Sequence, residues 1–126
     1  MNMYVWIALG GALGATSRFF VSSTIARMIG HGFPWGTVLV NVVGSFIMGA
    51  LISFMAIKWS ASPEMRAFLT TGVLGGFTTF SAFSLDFATL IERKETVAAI
   101  GYAAGSVSLS ILAVFAGLIL MRTILS

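Results

Sequence analysis

The sequence predicts an all-α membrane protein with four transmembrane helices, the third of which is broken near its middle. Only 9% of the 126 residues are charged, and the mean hydropathy is +1.01, whereas soluble domains carry about 25% charged residues. The chain also contains four apolar stretches of the length that a spanning helix needs, which is about 20 residues. They leave little room for a soluble domain, so residues 1–126 are expected to form a single transmembrane domain.

The four spans are predicted at residues 4–25, 35–57, 64–91 and 97–121. The first span does not resemble a cleaved signal sequence, because no basic residue precedes its apolar run and three more spans follow. Two spans carry pairs of glycines four residues apart, which allow another helix to approach closely. These pairs are Gly10 with Gly14 in the first span and Gly101 with Gly105 in the fourth.

The third span contains the least regular stretch, residues 72–87, with the sequence GVLGGFTTFSAFSLDF. The adjacent Gly75 and Gly76 weaken a helix, and Thr78 and Thr79 can offer side-chain hydrogen bonds to a loosened backbone. Broken backbone survives in a membrane only where protein buries it or where water and ions reach it. We interpret residues 75–79 as a helix break that forms a binding or conduction site. Close helix packing through glycine is the alternative.

Polar side chains recur at helical spacing on two other spans, which places them on one face of each helix. They are Thr37 and Asn41 on the second span and Tyr102, Ser106 and Ser110 on the fourth. The amide of Asn41 is a neutral donor that can bind an anion without adding charge. Alternatively, it bonds to a neighbouring helix.

An aromatic stripe follows the break, because Phe80, Phe83 and Phe87 lie at helical spacing with Ser84 beside them. Such a stripe usually packs in a core. The neighbouring hydroxyl inside a membrane span favours a role in lining a site.

The cations give no preferred orientation in the membrane. With four spans, one side carries Lys58, Arg66 and Arg122, and the other carries Arg27, Arg93 and Lys94. The positive-inside rule therefore does not choose between the two orientations. We expect both to occur, with two copies forming an antiparallel, dual-topology homodimer. The carbonyl groups freed at the two breaks would meet near the midplane, where they suit a hard cation such as Na⁺.

Two charged side chains lie within the predicted spans, Arg18 in the first and Asp86 in the third. A buried cation is costly unless it reaches water or a partner. Arg18 would add positive potential to a vestibule that collects anions. An Arg18–Asp86 ion pair is an equally open alternative.

Several other functions lack support in the sequence. The cations are scattered singly, which argues against binding of nucleic acid, and the absence of cysteine excludes a thiolate metal site. No nucleophile–base arrangement suggests an enzyme, and the lone loop histidine, His31, is expected to be solvated. Two membrane alternatives remain. A small multidrug-type dual-topology exporter would need a glutamate in the first span, which is absent, and a non-transporting assembly subunit would not need these polar and aromatic faces together.

Three segments resemble the signatures of the Fluc (CrcB-type) fluoride channels. They are GGALGATSRF at residues 10–19, NVVGSFIMG at 41–49 and GVLGGFTTFSAF at 72–83. The resemblance covers essentially the whole chain. It implies a dual-topology homodimer with two parallel pores that passively exports cytoplasmic fluoride across the bacterial inner membrane.

The resemblance also implies roles for individual residues. A structural Na⁺ at the dimer centre would be held by the backbone carbonyls of Gly75 and Thr78. The edges of the Phe80 and Phe83 rings would line each pore together with Asn41. A polar track on the last helix would consist of Tyr102, Ser106 and Ser110.

Overall fold

The computed structural model describes residues 2–126 and contains four helical segments that are long and apolar enough to cross a membrane. The helices in chain order are α1 Met3–Ile29, α2 Trp35–Ile57, α3 Pro63–Ala67, a π-helix Phe68–Leu74, α4 Gly75–Phe77, α5 Ser81–Glu92 and α6 Thr96–Leu125. The first, second and fourth membrane-spanning segments are α1, α2 and α6. The third segment, Pro63–Glu92, consists of α3, the π-helix, α4 and α5. The all-α fold, the number of spans and the interrupted third span are confirmed.

The outer surface of these segments is apolar, as a lipid-facing surface must be. Large hydrophobic side chains such as Phe19, Phe20 and Ile119 are more than half exposed. In water such a surface would be costly, since burial of apolar area is worth about 25 cal/mol per Å². The chain is therefore a multi-pass membrane protein.

The helices pack in two close pairs. In one pair, α2 lies on α6, and a Cβ atom added at Gly117 would lie 2.7 Å from the amide nitrogen of Ala50. In the other pair, α1 lies on the π-helix and α4, and a Cβ added at Gly10 would lie 2.9 Å from the Cα of Gly72. In both pairs glycine lets one backbone touch the other.

The predicted glycine pairs have different outcomes. Gly10 and Gly14 of α1 both lie against the third span, as predicted. A Cβ added at Gly101 or Gly105 would have no neighbour within 4 Å. The prediction that this second pair packs closely is therefore wrong for contacts within the chain, and this face of α6 is open.

The break lies slightly later than predicted, and its cause differs. Gly75 and Gly76 are helical, whereas Thr78 is extended, with φ −84° and ψ 160°. Gly76 is required by packing, because a Cβ there would lie 2.8 Å from the carbonyl oxygen of Gly11 on α1. The chain leaves the helix at residues 78–80, so the threonines form the break and the interpretation of Gly76 as a helix breaker is wrong.

Candidate functional site

An open groove with a volume of about 350 Å³ lies beside the break. It brings together seven of the residues to which the sequence analysis gave a role at the pore or the Na⁺ site, from α2, the third span and α6. These are Asn41, Gly75, Thr78, Phe80, Phe83, Ser106 and Ser110. The remaining lining residues are Ser45, Thr79, Val107 and Ile111, so no charged side chain lines the groove among residues 2–126.

Asn41 clamps the break from the opposite helix. Its Nδ2 donates to the carbonyl oxygen of Thr79 at 2.9 Å, and its Oδ1 accepts from the amide of Thr79 at 2.7 Å. Asn41 therefore hydrogen-bonds to a neighbouring span, as the alternative interpretation of this residue predicts. Because an amide NH₂ group has two hydrogens, one N–H of Asn41 remains for a ligand in the groove.

The break releases the carbonyl groups of Gly75 and Thr78. In an unbroken helix these oxygens would accept from the amides of Thr79 and Ala82, four residues later. The Thr79 amide donates instead to Asn41, and the Ala82 amide donates to Oγ1 of Thr79 at 3.0 Å. The two carbonyl groups predicted to bind Na⁺ thus lose their helical partners, and both residues line the groove.

Three aromatic rings lead from the groove into the protein. The Phe80 ring is 75% exposed, with its centroid 5.4 Å from that of Phe83, and Phe83 in turn lies 5.2 Å from Tyr102. Ser84 lies outside the groove, where its exposed hydroxyl donates to the carbonyl oxygen of Phe80 at 2.9 Å. The structure therefore places Phe80 and Phe83 at the groove and Ser84 apart from it.

Tyr102 and Thr37 converge on a carboxylate and not on the groove. Tyr102 is only 1% exposed, and its hydroxyl donates to Oδ2 of Asp86 at 3.0 Å. The hydroxyl of Thr37 donates to the same oxygen at 2.7 Å. Of the predicted polar row on α6, Ser106 and Ser110 line the groove and Tyr102 lies behind it.

Ser106 is a buried hydroxyl at the wall of the groove. Only 5% of the residue is exposed, and its Oγ has no hydrogen-bond partner among residues 2–126. Buried polar atoms almost always have a partner. An unpaired hydroxyl at a cavity wall is therefore available to a ligand that accepts a hydrogen bond.

Arg18 forms no ion pair with Asp86 among the described residues, so that alternative is wrong. Its Nε donates to the carbonyl oxygen of Gly76 at 3.1 Å. This places a cation at the carboxyl end of α4, where the helix dipole is negative. Arg18 does not line the groove, and its role in a vestibule stays a prediction.

Comparison with known proteins identifies the family. A family model described as CrcB-like protein, Camphor Resistance (CrcB), matches residues 5–118. The chain belongs to the CrcB-like family. A relative from Rhizobium meliloti (strain 1021), named Fluoride-specific ion channel FluC, is 54% identical over 122 residues, which are 97% of this chain and 98% of the relative. A relative of the same name from Rhodospirillum centenum (strain ATCC 51521 / SW) is 50% identical over 123 residues, 98% of each chain.

In this CrcB-like protein, the sequence analysis missed the central role of Thr79. Its backbone bonds to Asn41, and its hydroxyl accepts from the first turn of α5. A threonine just before a helix is a recognisable capping signal. The bond between residues 41 and 79, however, depends on how two separate spans pack, so the sequence pattern alone does not reveal it.

Proposed function

We propose that this protein is a fluoride-selective channel through which cytoplasmic fluoride leaves the cell passively, by way of the groove. The observation that carries the proposal is the lining of the groove, which combines neutral hydrogen-bond donors with aromatic rings and, within residues 2–126, has no charged side chain. The similar proteins named as fluoride-specific channels support this choice of ion.

The lining suits the chemistry of fluoride, which is a small, hard and strongly hydrated anion. A pore must replace its water with donors and still hold it weakly enough to release it. Ser106 offers a hydroxyl that has no partner in the described part of the chain, and Asn41 offers an unused N–H. The rim of a phenylalanine ring is positive, so Phe80 and Phe83 can face an anion edge-on.

The two halves of the broken span add opposite partial charges. Phe80 and Phe83 belong to the beginning of α5, and the amino end of a helix is positive. Gly75 is the first residue of the short helix α4 and Thr78 caps its carboxyl end, and their released carbonyl oxygens favour a cation. We propose that the carbonyl oxygens of Gly75 and Thr78 hold a structural Na⁺, which would offset the negative partial charge of these oxygens.

We further propose that two copies assemble as an antiparallel, dual-topology homodimer with two pores. The open side of the groove supports this arrangement, because Gly75 is exposed there. Two carbonyl oxygens from one chain are fewer ligands than a hard cation usually binds, and a second copy of the chain would supply two more. The bacterial inner membrane is the proposed location.

Purified protein in liposomes is expected to release fluoride and not chloride under a voltage drive. Phe83→Ile should lower the fluoride flux by about fivefold, because loss of an edge contact worth about 1 kcal/mol raises the barrier to permeation by that amount. The measurement is fluoride efflux with an ion-selective electrode at equal protein content.

Phe87→Ile is the matched control for this experiment. Phe87 belongs to the same stripe and, like Phe83, packs against the buried cluster around Leu90 and Tyr102, but it does not line the groove. Equal losses of flux in both variants would contradict a pore role for Phe83. Equal release of fluoride and chloride by the unmodified protein would contradict the proposed selectivity.

The dual topology can be tested with a single cysteine, because the chain has none of its own. Ser60→Cys places a thiol in the loop between α2 and α3, where Ser60 is exposed. A membrane-impermeant thiol reagent applied from outside intact cells should label about half of the protein, since the charge balance favours neither orientation. Complete labelling, or none before the cells are opened, would contradict this proposal.

A further inference from the structure

A second cavity, of about 200 Å³, lies where the end of α1 and the following loop meet the start of α2. Its wall contains two ionisable side chains, His31 from the loop and Asp86 from α5. Thr37 and Trp35 of α2 contribute to the same wall. His31 is exposed, so it can exchange protons with water.

Contacts between side chains link the wall of this cavity to the groove. Asp86, on the wall of the second cavity, accepts from the hydroxyl of Tyr102 at 3.0 Å. The ring of Tyr102 packs on Phe83, which lines the groove. The Phe80–Phe83–Tyr102 rings therefore form a continuous series of contacts from the groove to Asp86 on the wall of the second cavity.

Among residues 2–126, no Lys or Arg side chain lines this cavity, so Asp86 has no permanently charged counterion on the cavity wall. Arg93 donates to the carbonyl oxygen of Gly32, the residue after His31 in the same loop, at 3.0 Å. The Arg93 guanidinium also pairs with the carboxylate of Glu95 at 3.3 Å. Arg27, in the last turn of α1, bonds to the hydroxyl of Thr24.

In the described part of the chain, the other elements around the cavity also contribute no Lys or Arg to its wall. The helix α2 contains no charged residue, and Glu92 and Lys94 lie at the exposed end of α5 and do not line the cavity. Of the residues on the cavity wall, His31 is the one that can gain a positive charge.

We propose that the second cavity is an entrance of the fluoride path and that His31 controls entry there. The inference rests on the proposed channel function. The imidazolium form of His31 offsets the negative charge of Asp86 and admits fluoride, whereas the neutral form leaves the carboxylate to repel it. Histidine changes charge between about pH 8 and pH 5, so permeation is faster on the acid side of this range.

The test compares fluoride currents in planar bilayers at about pH 8 and about pH 5.5, on either side of the range in which histidine titrates. Current is measured instead of total fluoride, because HF crosses the bilayer without carrying charge. The unmodified protein should pass up to about tenfold more current at the acid pH. This change is at the low end of the effect that local charge has on the rate at which an ion enters a site.

Two substitutions at His31 separate charge from shape. His31→Gln is neutral at both pH values and should bring the ratio of the two currents close to one. His31→Lys is positive at both, so its ratio should also approach one, while its current at the alkaline pH should exceed that of the unmodified protein. Lys58→Gln removes a charge from the loop after α2, away from this cavity, and should retain the ratio of the unmodified protein.

The outcomes distinguish this inference from the proposed function. Fluoride current with the same pH ratio in the unmodified protein and in His31→Gln would overturn the role of His31 and leave the channel proposal intact. A complete absence of fluoride current in the unmodified protein at both pH values would overturn the channel proposal and, with it, this inference.

Discussion

Replacement of Asn41 by alanine is expected to reduce fluoride flux at least tenfold. The substitution removes both bonds that hold residue 79 across the groove, at 2.9 and 2.7 Å. An unpaired buried backbone group costs about 1–3 kcal/mol, and a loss of about 2 kcal/mol lowers the population of the conducting form more than tenfold. The substitution also removes the one side-chain amide in the groove.

Ser53→Ala is the matched control for the loss of a buried hydrogen bond. Ser53 lies on the same helix as Asn41, is 3% exposed and donates to the carbonyl oxygen of Leu118 at 3.0 Å. Because it lies outside the groove, its removal should lower thermal stability by about 1 kcal/mol without changing the flux per folded protein. Efflux and thermal unfolding are measured on the same preparations. Equal flux in the two variants would contradict the role given to Asn41.

Gly14→Ala is expected to have the largest effect on stability. A Cβ atom at this position would overlap the carbonyl oxygen of Val73 and lie 2.9 Å from the amide nitrogen of Phe77. Both are backbone atoms that cannot rotate away, so α1 must move off the third span. Such overpacking costs about 1–3 kcal/mol or more, and a fall in melting temperature in detergent is the measurement.

Gly11→Ala provides the comparison, since it adds the same methyl group three residues earlier on the same helix. A Cβ there would have no neighbour within 4 Å. Alanine favours a helix over glycine by about 1 kcal/mol, so this variant should be as stable as the unmodified protein or more stable. A similar loss of stability in both variants would contradict the conclusion that Gly14 allows α1 to approach the third span closely.

The sequence predicts the spans well because long apolar runs determine them locally. The predicted bounds of the second span agree with α2, Trp35–Ile57. The position of the break is less predictable. Glycine weakens an isolated helix, but Gly76 lies in a helix because only glycine fits against α1 at that point.

The site itself is predicted in part. Helical spacing identified Asn41, Ser106 and Ser110, which do line the groove. Spacing could not reveal that Tyr102 turns towards Asp86, because that bond depends on the packing of α5 against α6. Likewise, no local pattern indicates that Arg18 reaches the carbonyl oxygen of residue 76, since 58 positions separate the two residues.

The contacts of backbone against backbone have a mechanical consequence. Within each close pair, α1 with α4 and α2 with α6, glycine contacts lock one helix against the other and prevent sliding. The segment at residues 78–80 is the non-helical link between α4 and α5. A change in the tilt of α5 about this link would move Phe83 relative to the residues of α2 and α6 that line the groove.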